Sequence, residues 1–164
     1  MKELQTEEMR HLQHAEAWLV LGNYGRAQDE LEQITPEARA SVGVLKVRYA
    51  VYAAAKEWEL AANTARAIML QAPGISFGYV HLATALHELG RMGEAREVLL
   101  LVQGKSRDWT MDFNLACCSA QIGDWRAAQA LLEKAFDTAG SAHVRTLAIH
   151  DPDLEPFWEN GCGI

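Results

Sequence analysis

The chain has 164 residues, with 15 Lys and Arg against 22 Asp and Glu, and a formal net charge of −7. Its length suits one domain, and a content of 49% hydrophobic and 23% charged residues is typical of a globular protein. The acidic balance argues against a nucleic-acid binder and against a membrane-surface helix, because both depend on clustered Lys and Arg.

No apolar run at the N-terminus resembles a signal peptide, and no apolar stretch approaches the roughly 20 residues that span a bilayer. Three cysteines, two of them adjacent, do not make a disulfide framework. From these features we expect a reduced, cytoplasmic protein.

A short motif recurs four times along the chain. It combines a turn residue, a polar residue, a large side chain and, three positions later, alanine. Successive copies begin 34, 34 and 33 residues apart. The copies are Gly22-Asn23-Tyr24 with Ala27, Lys56-Glu57-Trp58 with Ala61, Gly90-Arg91-Met92 with Ala95, and Gly123-Asp124-Trp125 with Ala128.

Apolar residues at helical spacing surround each motif. Before Gly90 they include Tyr79, Leu82 and Leu86, and after it Ala95 and Leu99. The pattern predicts a helix, a tight turn and an antiparallel helix in each unit, and therefore an all-α protein.

Boundary signals follow in chain order. Thr35-Pro36-Glu37 predicts a helix start, and Gln71-Ala72-Pro73-Gly74 ends one helix before the next repeat. Gly104-Lys105-Ser106 separates the third and fourth units, with Ser106 as a cap, and Gly140-Ser141 ends the fourth. A helix over Ala142–His150 and a terminal turn reaching Phe157 and Trp158 are expected to cover the end of the stack.

From Glu8 to Asp137 the sequence resembles the tetratricopeptide-repeat (TPR) family. In the third repeat the residues that carry the resemblance are Tyr79, Leu82, Ala83, Leu86, Ala95, Leu99 and Val102. The resemblance implies a right-handed α-solenoid of about four helix-turn-helix units with a C-terminal capping helix. It predicts a single domain over 1–164, with repeats at about 8–35, 36–73, 74–105 and 107–139 and a capping helix over 141–158.

Several positions depart from the family pattern. Arg48 and Tyr49 stand where the family prefers Leu and a small residue, and Asp112 and Ser119 are polar residues that weaken the first helix of the fourth repeat. We expect altered helix packing in the second repeat.

The resemblance further implies that the first helices line a concave groove that binds peptides. Helical phase assigns to this groove Leu12, Glu16, Leu19, Lys46, Ala50, Ala53, Phe77, Val80, His81, Thr84, His87, Phe113, Asn114 and Cys117. Leu12, Leu19, Phe77 and Phe113 are expected to face solvent. The alternative is that the capping helix or a neighbouring repeat covers some of them.

One subclass of the family grips a C-terminal carboxylate with Lys, Asn and Arg. Here Leu12, Glu16, Val47, Phe77 and His81 occupy those places, so this clamp is not expected. The sequence therefore predicts a protein–protein interaction module, an adaptor or chaperone-like scaffold, that binds a peptide or an amphipathic helix of an unidentified partner. Two alternatives remain open: a homodimer formed through the groove or the Phe157-Trp158 segment, and a small bacterial secretion-type chaperone.

Neither a metal nor a cofactor is indicated, because no Cys-x-x-Cys or His-Glu-x-x-His spacing occurs. An enzyme using Cys117, His81 and Glu88 is a third possibility. Nothing in their spacing favours it, so we expect no enzymatic activity.

Overall fold

The computed structural model describes residues 5–102, 109–140 and 142–161, and these residues are helical with no β-strand. The chain divides into two compact units, Met1–Leu89 and Gly90–Ile164. The expected Gly104-Lys105-Ser106 separator, Ser141 and Cys162 lie outside the described residues.

Residues 5–89, the described part of the first unit, form six helices. They are α1 (Thr6–Val20), α2 (Tyr24–Gln33), α3 (Pro36–Arg39), α4 (Val42–Ala54), α5 (Trp58–Gln71) and α6 (Phe77–Glu88). The Thr35-Pro36 start opens only the four-residue α3, and Ser41 precedes the longer α4. The Thr35 hydroxyl makes no cap to α3 and donates a hydrogen bond to Glu8 instead, which ties the segment between α2 and α3 to the first turn of α1.

The four motif turns adopt the same backbone conformation. Gly22, Gly90 and Gly123 have φ of 73°, 73° and 80°, and Lys56 has φ of 59°. In the first turn the amide of Asn23 donates to the carbonyl of Trp18 at 2.9 Å, and the amide of Gly22 donates to that of Leu19 at 3.0 Å. These bonds satisfy carbonyls that the helix end would otherwise leave unpaired. The predicted repeat is therefore confirmed, including Lys56 in a conformation that usually favours glycine.

The core of the first unit joins its first and second repeats. Leu12 on α1 packs with Ala27 and Leu31 on α2 and with Val44 and Val47 on α4. These side chains are at most 9% exposed. A small side chain at position 27 allows the helices to pack closely, which is the role predicted for the alanine of the motif.

Gly78 sets the distance between α5 and α6. A Cβ atom at this position would lie 2.6 Å from the backbone nitrogen of Met69 and 2.8 Å from its Cα. Such distances are far inside van der Waals contact, so only glycine permits this helix crossing.

The second unit contains α7 (Met92–Leu100), α8 (Trp109–Gln121), α9 (Trp125–Ala139), α10 (Ala142–His150), a 3₁₀ turn (Pro152–Leu154) and α11 (Glu155–Glu159). α8 is continuous across Asp112 and Ser119, the two polar residues expected to weaken it. Each residue has a partner: Lys134 Nζ lies 2.7 Å from Asp112 Oδ1, and Arg96 Nε donates to Ser119 Oγ at 3.2 Å. Buried polar groups that are paired in this way cost little stability.

The C-terminal segment folds back onto α8 and α9. Val144, Ala148, Leu154 and Phe157 join the same core as Ala116 of α8. Trp158 Nε1 donates to the carbonyl of Ala148 at 2.9 Å, and Gln121 Nε2 donates to that of Asp153 at 2.8 Å. Within its own unit, residues 142–159 therefore cover the last helix pair.

Among the described residues, no helix combines the length and the apolar character that crossing a membrane requires.

Candidate functional site

Four side chains on α4 and α6 form a compact group, which we call the α4–α6 ring cluster: Lys46, Tyr49, Phe77 and His81. The rings of Phe77 and His81 are 3.9 Å apart between centroids, and those of Tyr49 and His81 are 4.5 Å apart. Tyr49 meets Phe77 edge-on at 6.2 Å, and Lys46 Nζ lies 4.8 Å from the centre of the Phe77 ring. The ammonium thus contacts the electron-rich face of an aromatic ring.

Local sequence explains how these side chains meet. Lys46 and Tyr49 are three residues apart on α4, and Phe77 and His81 are four apart on α6, so each pair lies on one helical face. Tyr49 is buried, whereas Lys46, Phe77 and His81 remain half-exposed. The cluster therefore has a buried base and an accessible rim.

Burial and charge keep the rings of the cluster neutral near pH 7. Burial lowers the pKa of His81, and the positive charge of Lys46 lowers it further. Burial raises the pKa of Tyr49 to about 12, with a further contribution from the Glu88 carboxylate. Lys46 is consequently the only member that carries a charge at neutral pH.

The predicted groove positions of the first unit are mostly accessible. Of its eleven predicted residues, ten are partly or fully exposed: Glu16, Leu19, Lys46, Ala50, Ala53, Phe77, Val80, His81, Thr84 and His87. The exception is Leu12, which lies in the core described above. For Leu12 the expectation of solvent exposure is wrong, because Val44 and Val47 of the next repeat cover it.

In the second unit the expectation of exposure is wrong for Phe113 as well. Phe113 is 8% exposed and Cys117 is 6% exposed, and both pack in the core that the C-terminal segment completes. Asn114 is half-buried. The alternative expectation, that the capping segment covers some groove positions, is therefore correct for Phe113 and Cys117.

Phe157 is also buried, so it is not available for the homodimer that the sequence analysis considered through the Phe157-Trp158 segment. Its side chain is completely buried in the same core, and its ring meets that of Trp158 edge-on at 4.9 Å. An interface with a second copy through Phe157 would require this segment to detach first.

Cys117 faces two carboxylates of the C-terminal turn. Its Sγ and carboxylate oxygens of Asp151 and Asp153 all lie within 4.8 Å of one another. No further His, Cys, Asp or Glu of the described residues joins the group, and Asp151 already accepts a hydrogen bond from the amide of Asp153 at 2.9 Å. The expectation of no bound metal stays a prediction.

The same surroundings suppress thiol chemistry. Burial raises the pKa of Cys117 far above its ordinary value, and Asp151 and Asp153 raise it further. Burial likewise raises the pKa of Cys118, to about 11. Since the thiolate is the nucleophile, these side chains act as small packing groups.

We therefore expect slow labelling of both thiols in the folded protein. Raising the pKa of Cys118 from 9.0 to about 11 lowers its thiolate fraction at neutral pH about 100-fold, and burial hinders the reagent as well. Labelling with a chromogenic disulfide reagent at pH 7.5 checks this in a Cys162→Ser variant, with guanidinium-unfolded protein as the control. Rapid labelling of Cys117 in the folded variant would contradict its burial.

Sequence reasoning missed Tyr49 as a member of the site. The signal was present, because a large aromatic residue stands there in place of the small residue of the family pattern. The role of Tyr49 depends on α6, because its ring packs against the rings of Phe77 and His81 on that helix.

No protein-family model and no curated protein matches the sequence. Solved structures do match the fold. A MamA structure from Desulfovibrio magneticus RS-1 has a TM-score of 0.76 and 13% identity, covering 97% of this chain and 93% of that one. A thermophilic TPR protein of Thermus thermophilus has a TM-score of 0.66 and 18% identity over 93% and 87%. A third structure, of MamA MSR-1, has a TM-score of 0.71 and 21% identity over 79% and 75%. At these identities the likeness is one of fold.

Proposed function

Because the chain has the tetratricopeptide-repeat fold, we propose that it is a protein-interaction module that holds a linear segment of a partner protein against the α4–α6 ring cluster. The chain supplies a rigid helical surface and no reactive group in this function. The partner contributes an extended peptide or an amphipathic helix. The single domain over 1–164 and its four repeat boundaries stay predictions.

The observation that carries the proposal is the accessible rim of the cluster, formed by the Phe77 and His81 rings of α6 beside Lys46 of α4. Phe77, Val80 and His81 are half-exposed on consecutive turns of α6, and Thr84 extends the same face. Large apolar and aromatic side chains that remain accessible on one face are typical of protein contact sites.

The geometry also supports binding without rearrangement. Tyr49 is 5% exposed and packs beneath Phe77 and His81, so the rings of the rim are held before a ligand arrives. A preformed surface loses little conformational entropy on association, which leaves more of the burial free energy for affinity.

Capture from host lysate with variants of the cluster tests the proposal. Phe77→Ala removes the central ring, and we expect the recovery of at least one captured protein to fall about 10-fold or more, as for truncation of an interface anchor. The matched control is Leu70→Ala, which shortens a 78% exposed side chain on α5 outside the cluster. Circular dichroism of both variants should give the helicity of the wild type.

Quantitative mass spectrometry of the captured proteins is the readout. A protein lost with Phe77→Ala and retained with Leu70→Ala supports the proposal. Identical sets for the wild type and Phe77→Ala would exclude the cluster as the contact surface.

A further inference from the structure

We propose that the segment held at the α4–α6 ring cluster carries an acidic side chain that pairs with Lys46, next to an apolar side chain that contacts Phe77 and Val80. This inference rests on the proposed function and specifies the chemistry of the partner. The inference follows from the positive charge of Lys46 and from the aromatic ring of Phe77 beside it.

Lys46 differs from the other half-buried cations of the described residues. There are six of these, and five meet an oxygen acceptor: Arg39 and Arg48 pair with Glu32, Arg66 with Asn63, Arg91 with Glu94, and Arg96 with Asp124. Lys46 meets no oxygen acceptor among the described residues, and its ammonium lies over the Phe77 ring. Its ammonium therefore keeps donor capacity that no carboxylate of the described residues uses.

A ligand that covers this face removes water from the charged ammonium of Lys46. An apolar segment laid over Lys46 would remove its water and leave a buried cation unpaired, which is strongly unfavourable. A carboxylate on the segment replaces the lost water with a charge-assisted hydrogen bond. A basic side chain placed against Lys46 meets electrostatic repulsion.

The chain itself provides an example of the expected class of segment. Over residues 151–158 it lays an acidic segment on α8, with Leu154 and Phe157 completely buried and acidic residues beside them at positions 151, 153 and 155. α8 is the first helix of its repeat, as α4 and α6 are of theirs. A first helix of this chain thus accepts apolar anchors three residues apart with carboxylates next to them.

Selection from a random 12-residue peptide display library tests the inference on the full chain. Peptides are selected on the wild type, and the recovered sequences are then assayed on Lys46→Gln, Phe77→Ala and Lys56→Gln. Lys56→Gln is the matched control, because it removes the same charge from an exposed turn residue of the same unit. Binding is measured by fluorescence anisotropy.

We expect the recovered peptides to share an Asp or Glu close to an aromatic or aliphatic residue. Lys46→Gln should weaken their binding about 10-fold, within the range for losing one charge-assisted contact, and Lys56→Gln should leave it unchanged. Replacing the peptide carboxylate with its amide should weaken binding to the wild type by a similar factor and have little effect on Lys46→Gln. Such non-additive losses would show that Lys46 and the peptide carboxylate interact directly.

The outcomes separate the inference from the function on which it rests. Peptides that require Phe77, yet lack an acidic residue or bind Lys46→Gln as tightly as the wild type, would overturn the inference and leave the proposed function standing. Failure to recover any peptide that depends on Phe77 would contradict the proposed function, and the inference would fall with it.

Discussion

Phe157→Ala is expected to lower the free energy of unfolding of the Gly90–Ile164 unit by about 3–5 kcal/mol. The side chain is completely buried, and it packs in one core with residues of α8, α9 and α10. Truncation leaves a cavity at the place where the C-terminal segment meets α8. Since natural domains are stable by only about 5–15 kcal/mol, this loss is a large part of the total.

The loss should also open the face of α8 that the segment covers. Cys117 lies in the same core, so its labelling by a thiol reagent should accelerate in Phe157→Ala while staying slow in the parent protein. Urea unfolding followed by circular dichroism gives the change in stability, in the Cys162→Ser background used for labelling.

Leu147→Ala is the matched control, because it truncates an apolar side chain of the same C-terminal segment that is 40% exposed. Its effect should stay within about 0.5 kcal/mol, as for most surface substitutions. Equal urea midpoints for Phe157→Ala and Leu147→Ala would show that the segment does not hold the unit together.

Gly78→Ala should destabilise the first unit by about 2 kcal/mol or more. The added methyl group would lie 2.6 Å and 2.8 Å from backbone atoms of Met69, and backbone cannot rotate aside as a side chain can. α5 and α6 must therefore separate. Because the clash is with backbone atoms, we place the cost at the upper end of the usual range for overpacking or above it, at about 3 kcal/mol. The better helix propensity of alanine, worth about 1 kcal/mol, offsets only part of that cost.

Thermal unfolding measures the effect, and the expected decrease in Tm is roughly 4–8 °C for a chain of this size. Gly43→Ala is the control within the same unit: Gly43 is also helical, and a Cβ atom there would have nothing within 4 Å. It should be neutral or slightly stabilising. If both variants melted at the same temperature, the close approach of α5 and α6 at Gly78 would be disproved.

The position of the ring cluster was largely predictable. The motif spacing places the turns, and the turns set the phase of each helix, so helical phase alone assigns Lys46, Phe77 and His81 to one surface. Tyr49 was recognised only as a departure from the family pattern. Its role required knowing that α6 brings two aromatic rings against α4.

The burial of Leu12 and Phe113 could not be predicted from helical phase. Helical phase gives the direction of a side chain relative to its own helix, and says nothing of what lies in that direction. Val47 of α4 covers Leu12, and the segment after α10 joins the core around Phe113. Both contacts join residues more than 30 positions apart, which no local pattern encodes.

The amino-acid sequence by itself determined the local structure of this protein: the helices, the four turns and the alanine positions at which helices meet. These follow from backbone preferences and from apolar spacing within single repeats, which are properties of neighbouring residues. Tertiary structure alone decided which apolar side chains stayed accessible and which cation lacked an acceptor. Burial and pairing depend on residues that only folding brings together, and that is why the proposed contact surface became visible in the α4–α6 ring cluster.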